Sequence, residues 1–387
     1  MYQAVDYYHL NDLFEEEEKL VRKTTRQFVE DKFLPVITAY HRRAEFPLQL
    51  VSEMGKLGLL GPTFPEAYGG ANLNNIAYGL IMQELERGDS GLRSFASVQS
   101  GLVMYPIFTF GSETQKDHWL PQLISGSKIG CFGLTEPDFG SNPSGMKTVA
   151  KEITGGYRIN GSKMWITNGS IADVAVVWAK MDSRVRGFLV EKGTKGFSTQ
   201  TITGKFSLRA SDTSELIFAD CEIPEENLLP GSAGLKSALQ CLTQARYSIA
   251  WGAVGAAMSC YDTALQYAKS RIQFDRPIAS YQLTQQKLVN MLTEITKAQL
   301  LAYHLGKLKD QNKMKPVHVS LAKRNNVEIG LQCARQARSI LGANGISDEY
   351  PVIRHLLNLE TLYTYEGTHE IHTLILGEDI TGHAAYF

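Results

Sequence analysis

The sequence has few cysteines, and no two of them have the spacing of a metal-binding pair. The five are Cys131, Cys221, Cys241, Cys260 and Cys333, and no CxxC motif occurs. An odd number of thiols without paired spacing argues against a disulfide framework and against a structural zinc site. We therefore expect the chain to work in a reducing compartment.

An excess of either charge and a membrane-spanning run are also missing. The 39 Lys and Arg residues balance 40 Asp and Glu residues, whereas a dedicated nucleic-acid binder would carry a basic excess. The charge-free stretch 94–112 contains Gln99, Pro106 and several serines, which makes it too polar to cross a bilayer. The N-terminus MYQAVDYYHLNDLFEEEE has neither a basic leader nor an apolar h-region. We expect a soluble protein of a bacterial cytoplasm, or the mature form of a matrix protein.

Three common nucleotide and nucleophile motifs are absent. The sequence has no GxGxxG after a strand, no GxxxxGK[ST] and no GxSxG, so a Rossmann fingerprint, a P-loop and a nucleophile elbow are unsupported. The segment Gly342-Ala343-Asn344-Gly345 follows a helical pattern, not a strand. Its spacing favours a helix C-terminus with left-handed glycines over a phosphate-binding loop.

The periodicity of apolar residues divides the chain into three regions. Apolar residues recur at three- and four-residue steps in the first region, and short β-branched and aromatic runs between Gly, Asn and Asp turns fill the second. Long amphipathic segments at 235–274, 281–310 and 317–341, followed by a shorter one after residue 368, form the third. The pattern predicts an α+β fold: an N-terminal helical domain (1–129), an antiparallel β-barrel or sandwich (130–233) and a C-terminal four-helix bundle (234–387).

One cluster of acid and imidazole groups, YEGTHEIH at 365–372, allows several interpretations. Glu366 and His369 have the ExxH spacing of di-iron bundles, but those sites use two such elements and the sequence has one. Alternatively, Glu366 is a buried general base beside an aromatic ring and a glycine turn. The plainest alternative is a first-turn glutamate that complements a helix dipole. Spacing alone favours the last of these.

Several longer motifs resemble one family over almost the whole chain. The motifs are CFGLTEPDFGSN (131–142), KMWITNGS (163–170), RIQF (271–274), ILGANG (340–345) and YEGTHEIH (365–372). In this order they are similar to those of the acyl-CoA dehydrogenases, which are flavoproteins with an α-β-α fold and are usually homotetramers. The segments GKFSLRAS and NGISDEYPVIRH point to the glutaryl-CoA branch of the family.

The resemblance implies a role for Glu366 that spacing alone did not. Glu366 matches the family's catalytic base, which removes the α-proton of an acyl-CoA thioester while the flavin accepts the β-hydrogen as hydride. The backbone N–H of Glu366, with a flavin ribityl hydroxyl, would bind the thioester oxygen. The cofactor implied is FAD, and no metal is implied.

The resemblance also implies the residues that would hold FAD. Those expected at the isoalloxazine are Phe132, Leu134, Thr135, Trp165 and Thr167, with Thr368 completing the set. Arg271 and Phe274 match contacts to the pyrophosphate and adenine side. Gln282 and the run Ser339, Ile340, Leu341, Gly342 and Ala343 match contacts that neighbouring subunits make.

Substrate residues follow from the same resemblance. Arg93 matches the arginine that binds the distal carboxylate in the glutaryl branch, with Ser94 and Ser97 as supporting donors and Glu86 nearby. The alternative is a surface arginine paired with Asp89 or Glu86 of its own helix. Positions that match contacts to the acyl-CoA or line its pocket are Ser141, Arg246 and Gly367.

The implied reaction is oxidation and decarboxylation of glutaryl-CoA to crotonyl-CoA, with electrons leaving through an electron-transferring flavoprotein. Three alternatives stay open: another short-chain or dicarboxylic acyl-CoA, oxidation without decarboxylation, and a flavoprotein that has lost catalysis. Two positions depart from the glutaryl branch. Leu92 stands where a tyrosine commonly precedes the arginine, and Asp138-Phe139 replaces smaller or uncharged residues. The first could reshape the acyl pocket.

Overall fold

A computed structural model describes residues 5–385, and its first region is helical. Two π-helical segments, Val29–Phe33 and Val98–Met104, widen turns between α-helices of this region. The helices are α1 (Glu16–Phe28), α2 (Leu34–Arg43), α3 (Val51–Lys56), α4 (Asn75–Gly88), α5 (Ser90–Ser97), α6 (Tyr105–Phe110) and α7 (Glu113–Ile124). Every α5 residue and nearly all of α4 are buried, including their charged residues.

A curled seven-stranded sheet follows. Its strands are β1 (Gly130–Gly133), β2 (Val149–Ile153), β3 (Gly156–Thr167), β4 (Val174–Met181), β5 (Arg184–Glu191), β6 (Phe197–Thr201) and β7 (Thr213–Pro224). Most pairs are antiparallel, as expected, but β4 pairs with β1 and β2 in parallel. The β2–β3 hairpin lies between β1 and β4 in the chain and supplies the crossover that a parallel pair needs.

The third region contains three long helices, a short hairpin and two further helices. They are α8 (Leu235–Ser270), β8 (Ile272–Gln273), β9 (Arg276–Pro277), α9 (Gln282–Asp310), α10 (Pro316–Leu341), α11 (Val352–Thr364) and α12 (His369–Thr381). The sequence prediction carried the first helix to residue 274, which is wrong. The chain leaves the helix at Arg271, and Phe274 and Asp275 take positive φ values of 50° and 62° to turn the β8–β9 hairpin. At Gly342 φ is +60° where α10 ends, as the glycine prediction required, but Gly345 is not left-handed.

Helix α8 connects the packed layers. Its 36 residues span about 54 Å at ~1.5 Å per residue. Its side chains belong to three hydrophobic cores: Cys241 packs with the sheet side, Trp251 with the first helical region and Ile249 with the C-terminal helices. Residues on α8 can therefore reach groups from every region of the chain.

The buried face of α8 uses glycine where α4 comes close. A Cβ on Gly255 would lie 1.9 Å from the carbonyl oxygen of Gln83, and one on Gly252 would lie 2.0 Å from Oε2 of Glu86. Neither distance is possible for non-bonded atoms. The small-residue run in this helix therefore allows α4 to bring a charged side chain against the α8 backbone.

All five cysteines are free and buried, in β1, β7, α8 and α10. Burial raises the pKa of each thiol, to about 11 for Cys221 and about 12 for Cys333. None of the helices within residues 5–385 is long and apolar enough to span a membrane.

Candidate active site

Glu366 lies in a short turn between two helices, α11 and α12. Glu366 and Gly367 both have positive φ, 53° and 91°. Gly367 is required twice over, because its φ disfavours side chains and a Cβ would meet Nε2 of His372 at 3.0 Å. Thr368 then caps α12, and its hydroxyl accepts from the N–H of Ile371 at 3.2 Å. The family resemblance predicted that Thr368 contacts the cofactor; in the structure its hydroxyl makes this capping bond.

Two cations, the half-buried Arg246 and the buried Lys323, hold the backbone of this turn from neighbouring helices. Nε of Arg246, on α8, donates to the carbonyl oxygen of Glu366 at 2.7 Å. Nζ of Lys323, on α10, donates to the carbonyl oxygens of Tyr365 at 3.2 Å and of Gly367 at 2.8 Å. Three successive peptide oxygens are thus bound, which offsets the cost of the left-handed glutamate.

The Glu366 carboxyl is withdrawn from water. Its Oε2 atom is buried and has no hydrogen-bond partner among the described residues. Burial raises the pKa of Glu366 to about 7, although the positive charges of Arg93, Arg246 and Lys323 oppose the rise. A carboxyl with this pKa can accept and return a proton near neutral pH.

A buried ion pair lies beside this acid. Nε of Arg93, on α5, donates to Oε2 of Glu86, on α4, at 2.5 Å, and both side chains are almost fully buried. Nη2 of Arg93 donates to the hydroxyl of Tyr365 at 2.5 Å, and Ser90 donates to the other oxygen of Glu86. Burial alone would lower the pKa of Arg93, but Glu86 and Tyr365 reverse this and hold that pKa above its usual value.

The surface-pair alternative for Arg93 is therefore wrong in part. The arginine does pair with Glu86, as that alternative required, but it does so inside the protein. Asp89, the other partner considered, instead accepts from Nε of Arg354 at 2.9 Å and caps α5 through the N–H of Gly91. A buried guanidinium next to the acid is a stronger pointer to ligand binding than an exposed one.

The predicted serines have different surroundings. Ser97 shares a hydrogen bond with Ser248 of α8 at 2.5 Å, and Ser94 is buried on the same helix. Ser141 is exposed in the loop after β1. In that loop Lys147 lies near the Asp138-Phe139 departure from the glutaryl branch: its Nζ is 3.3 Å from a carboxyl oxygen of Asp138 and 5.5 Å from the Phe139 ring centre. Leu92, the other departure, is fully buried in the helical core.

A second group of predicted residues lies where β1 meets β3. The N–H of Met164 donates to the carbonyl oxygen of Thr135 at 2.8 Å. The buried Lys163 donates to the carbonyl oxygen of Leu134 at 3.1 Å and to Glu136 at 2.8 Å, which fixes the loop after β1. Trp165 follows at a break in the β3–β7 register, with a φ of 63° and an indole that is 61% exposed. Phe132, Leu134 and Thr167 belong to the same group.

A third group lies at the ends of the long helices. Arg271 ends α8, Phe274 turns the hairpin with 90% of its surface exposed, and Gln282 begins α9. Residues 339–341 are the last of α10, and residues 342–343 begin the 3-10 turn that follows it. Ser339 accepts from Lys287 of α9 at 2.8 Å. This third group lies at the end of α8, the start of α9 and the end of α10, whereas Glu366 lies in the turn between α11 and α12.

Sequence reasoning missed three residues that contact the candidate site. Tyr365 could have been found, because it precedes the glutamate in the recognised motif. Ser248, which bonds Ser97, follows Arg246 by two residues but carries no signal of its own. Lys323 lies in an amphipathic helix, where a lysine ordinarily reaches solvent, so nothing in the sequence marks it as buried.

The ExxH arrangement does not form a helical ligand pair. Glu366 precedes α12 with a left-handed backbone, whereas His369 is the first residue of the helix and stacks on Tyr363 with ring centres 4.4 Å apart. Nowhere in residues 5–385 do three His, Cys, Asp or Glu side chains form a group that could hold a metal ion.

The residues present fit a flavin. A ring system of this kind needs an apolar flat contact and backbone polar groups in a fixed loop, and the exposed Trp165 beside the loop fixed by Lys163 supplies both. Oε2 of Glu366 is buried without a hydrogen-bond partner among the described residues, so the carboxyl is free to interact with a bound ligand.

Comparison with protein families agrees with this geometry. Three family models match: the N-terminal domain of acyl-CoA dehydrogenases at 15–127, the middle domain at 131–221 and the C-terminal domain at 232–381. The chain belongs to the acyl-CoA dehydrogenase family, an oxidoreductase family, and its cofactor is FAD. The predicted α+β fold with helical first and last regions is confirmed.

Particular relatives divide between two substrate classes. A crystal structure of glutaryl-CoA dehydrogenase from Mycobacterium smegmatis is 52% identical, with a TM-score of 0.96 and 97% of each chain covered. A second, described as a glutaryl-CoA dehydrogenase from that organism in complex with FADH2, is 48% identical, with a TM-score of 0.97 and 98% of each chain covered. The short-chain specific acyl-CoA dehydrogenase of Megasphaera elsdenii is 35% identical over 92% of this chain and 95% of its own length.

Proposed function

We propose that this acyl-CoA dehydrogenase oxidises glutaryl-CoA and decarboxylates the product to crotonyl-CoA. The observation that carries the proposal is the buried Arg93, held by Glu86 and Tyr365 next to Glu366. A dicarboxylic acyl chain ends in a carboxylate, and burying that charge requires a partner. The 52% identity to a glutaryl-CoA dehydrogenase supports the same substrate.

Arg93 can bind the distal carboxylate without losing its present partners. A guanidinium offers several N–H donors in a fixed plane, and Glu86 and Tyr365 engage only Nε and Nη2. Ser94 and Ser97, on the same face of α5, are further donors. Because Glu86 already balances the charge of Arg93, the empty pocket leaves no unpaired buried charge. The single distal carboxylate of a glutaryl chain would be a second acid on the same guanidinium.

Glu366 acts as the base in the first step. Its carboxylate removes the α-proton of the thioester, and its backbone N–H stabilises the charge that develops on the thioester oxygen. FAD, when bound, accepts the β-hydrogen together with its electron pair. Phe132, Leu134, Thr135, Trp165 and Thr167 would hold the flavin ring.

Decarboxylation uses the same acid in its protonated form. The enoyl thioester carries a carboxylate on its γ-carbon, so loss of CO2 leaves its electron pair in a dienolate that is conjugated with the thioester. Glu366 then returns its proton to the γ-carbon, which gives crotonyl-CoA. The pKa near 7 suits a group that must both take and return a proton.

We also propose the wider assembly that the family resemblance implies. Arg271, Phe274 and Gln282 with residues 339–343 would contact FAD across subunits of a homotetramer. Arg246, Ser141 and Gly367 would contact the acyl-CoA. An electron-transferring flavoprotein would accept the electrons. The exposed Phe274 supports an additional contact at this end of the bundle.

The main rival is a short-chain acyl-CoA dehydrogenase. The relative in Megasphaera elsdenii supports it, and so does the internal pairing of Arg93 with Glu86, which could be purely structural. A glutaryl-CoA dehydrogenase that stops before decarboxylation is a further possibility.

An anaerobic titration separates these functions. We expect glutaryl-CoA to bleach the flavin of the purified holoenzyme and mass spectrometry to identify crotonyl-CoA. Arg93→Met should lower kcat/KM for glutaryl-CoA at least ~30-fold more than for butyryl-CoA, since loss of one partner of a buried charge pair costs ~2 kcal/mol or more.

The double variant Glu86→Gln with Arg93→Met is the matched control for folding. It removes both charges, so no unpaired acid stays buried. If the double variant also loses kcat/KM for glutaryl-CoA more than for butyryl-CoA, the loss is caused by the missing arginine and not by misfolding. Equal loss for both substrates would assign Arg93 to structure, bleaching by butyryl-CoA alone would favour the rival, and glutaconyl-CoA as sole product would rule out decarboxylation.

A further inference from the structure

Lys323 is a buried lysine that none of the steps above uses. It lies in the middle of α10 with 1% of its surface exposed. Its ammonium donates to the carbonyl oxygens of Tyr365 and Gly367, the residues on either side of Glu366. A lysine is almost never buried to this extent unless its ammonium is paired.

The hydrogen bonds to these two carbonyl oxygens hold the backbone conformation of the turn that carries Glu366. Left-handed conformations at two successive residues are costly for glutamate and persist only when the surroundings fix them. Arg246 binds the central oxygen and Lys323 the two outer ones, so the turn is held from α8 and from α10. Without Lys323 the carbonyl oxygens of Tyr365 and Gly367 would each lose one hydrogen bond.

The charge of Lys323 acts on the same carboxyl. Arg93 has Glu86 as its acid, whereas the hydrogen bonds of Lys323 go to peptide oxygens, so its positive charge is not neutralised locally by a bonded acid. The titratable and charged groups around Glu366 and its partners come from five helices and the turn. They are Tyr78 and Glu86 on α4, Arg93 on α5, Arg246 on α8, Lys323 on α10, Tyr365 in the turn, and His369, Glu370 and His372 on α12.

We propose that Lys323 is a positioning residue for the base: it fixes the Tyr365–Gly367 turn and its ammonium favours the carboxylate form of Glu366. The inference rests on the proposed role of Glu366 as base and holds for any acyl-CoA substrate. Burial lowers the pKa of Lys323 to about 7, and the charge of Glu366 opposes this.

Three variants separate the hydrogen bonds from the charge. Lys323→Arg keeps both, Lys323→Gln keeps a donor without charge, and Lys323→Met keeps neither. Lys309→Met is the matched control, because Lys309 is a half-buried lysine whose pKa burial also lowers to about 7, but its ammonium lies 4.1 Å from the Tyr247 ring centre. Flavin content and melting temperature show whether each variant folds.

The measurement is the rate of flavin reduction by butyryl-CoA between pH 5.5 and pH 9, under anaerobic conditions. We expect the acid limb of the wild-type profile near pH 7 to move upward by about one unit in Lys323→Gln and Lys323→Met, because a nearby positive charge has been removed. Lys323→Met should also lose at least ~10-fold of the rate at high pH, since a displaced base reacts slowly. Lys323→Arg and Lys309→Met should keep the wild-type limb.

An unchanged acid limb in both uncharged variants, or an equal shift in Lys309→Met, would overturn the proposal. If Lys323→Met does not fold, Lys323→Gln against Lys323→Arg still tests the charge, because both retain donors. Failure of the proposed function looks different: the wild-type flavin would then stay oxidised with every acyl-CoA.

Discussion

Glu366 has a backbone conformation that glutamate rarely adopts and a carboxyl oxygen without a partner. Both features cost stability, and both position an acid for proton transfer. We expect Glu366→Gln to keep the yellow flavin and lose at least ~100-fold of the rate of flavin reduction, since a positioned base contributes ~100-fold or more. In the wild type the rate should fall as the pH drops through about 7, because the base becomes protonated. Stopped-flow absorbance measures both.

The same variant has an effect on stability with a defined sign. A carboxyl whose pKa rises from 4.5 to about 7 on folding stabilises the protein below pH 4.5, and this contribution disappears as the pH rises through 7. The difference of about 2.5 pH units corresponds to at most ~3.5 kcal/mol, at ~1.4 kcal/mol per pH unit. Glu366→Gln should therefore raise the melting temperature more at pH 8 than at pH 5. A larger gain at pH 5 would contradict the raised pKa.

The family resemblance pointed to Glu366 as the proposed base, but the sequence did not predict its environment. The pKa of Glu366 depends on Arg93, Arg246 and Lys323, which are far apart in the chain and meet only after α5, α8 and α10 have packed. Lys323 in particular has the helical spacing of a surface lysine. Contacts of this kind depend on tertiary packing that local patterns do not encode.

At the scale of elements, the glycines of α8 decide how near the charged face of α4 can come. A Cβ on Gly252 would lie 2.0 Å from Oε2 of Glu86 and 3.1 Å from Nε of Arg93. Gly252→Ala should therefore displace the ion pair, lower the free energy of unfolding by ~1–3 kcal/mol and raise KM for glutaryl-CoA more than for butyryl-CoA. Denaturant unfolding and steady-state kinetics provide the two measurements.

Gly377→Ala, in α12, controls for the substitution itself. A Cβ on Gly377 would meet nothing within 4 Å, so alanine should stabilise this helix by ~0.5–1 kcal/mol. Stabilisation by Gly252→Ala as well would mean that α4 and α8 can move apart freely.

Helix spacing predicted α9 and α10 closely, because long amphipathic segments have clear ends. The end of α8 was missed because Phe274 and Asp275 adopt left-handed values without any glycine to signal them. The parallel pairing of β1 with β4 was missed because the apolar alternation of a short strand does not indicate its partner. Burial of nearly all of α4 was also unexpected, since Glu84, Glu86 and Arg87 look like an exposed face.

For the whole molecule, the exposed aromatic residues provide a test of assembly. Phe274 is 90% exposed on the hairpin that follows α8. If this end of the bundle contacts FAD and another subunit, Phe274→Ser should weaken both. We expect a lower ratio of flavin to protein after gel filtration and a smaller particle by mass photometry.

Phe206→Ser is the control, because Phe206 is 78% exposed but lies outside the predicted cofactor residues. It should leave flavin content and particle mass as in the wild type. Loss of flavin in both variants would point to general destabilisation, and loss in neither would remove Phe274 from the interface.

The five buried cysteines have a practical consequence. A thiol must ionise and meet a reagent before it is alkylated, and each of these is shielded from solvent with a raised pKa. Cys131 and Cys221 lie in the sheet, and Cys333 lies in α10. Cys241 lies in the N-terminal part of α8 and Cys260 in its C-terminal part. Labelling at any one of them therefore requires its own layer to open first. The chain thus carries native reporters of partial unfolding in the sheet and in the C-terminal helices, and no foreign probe has to be introduced there.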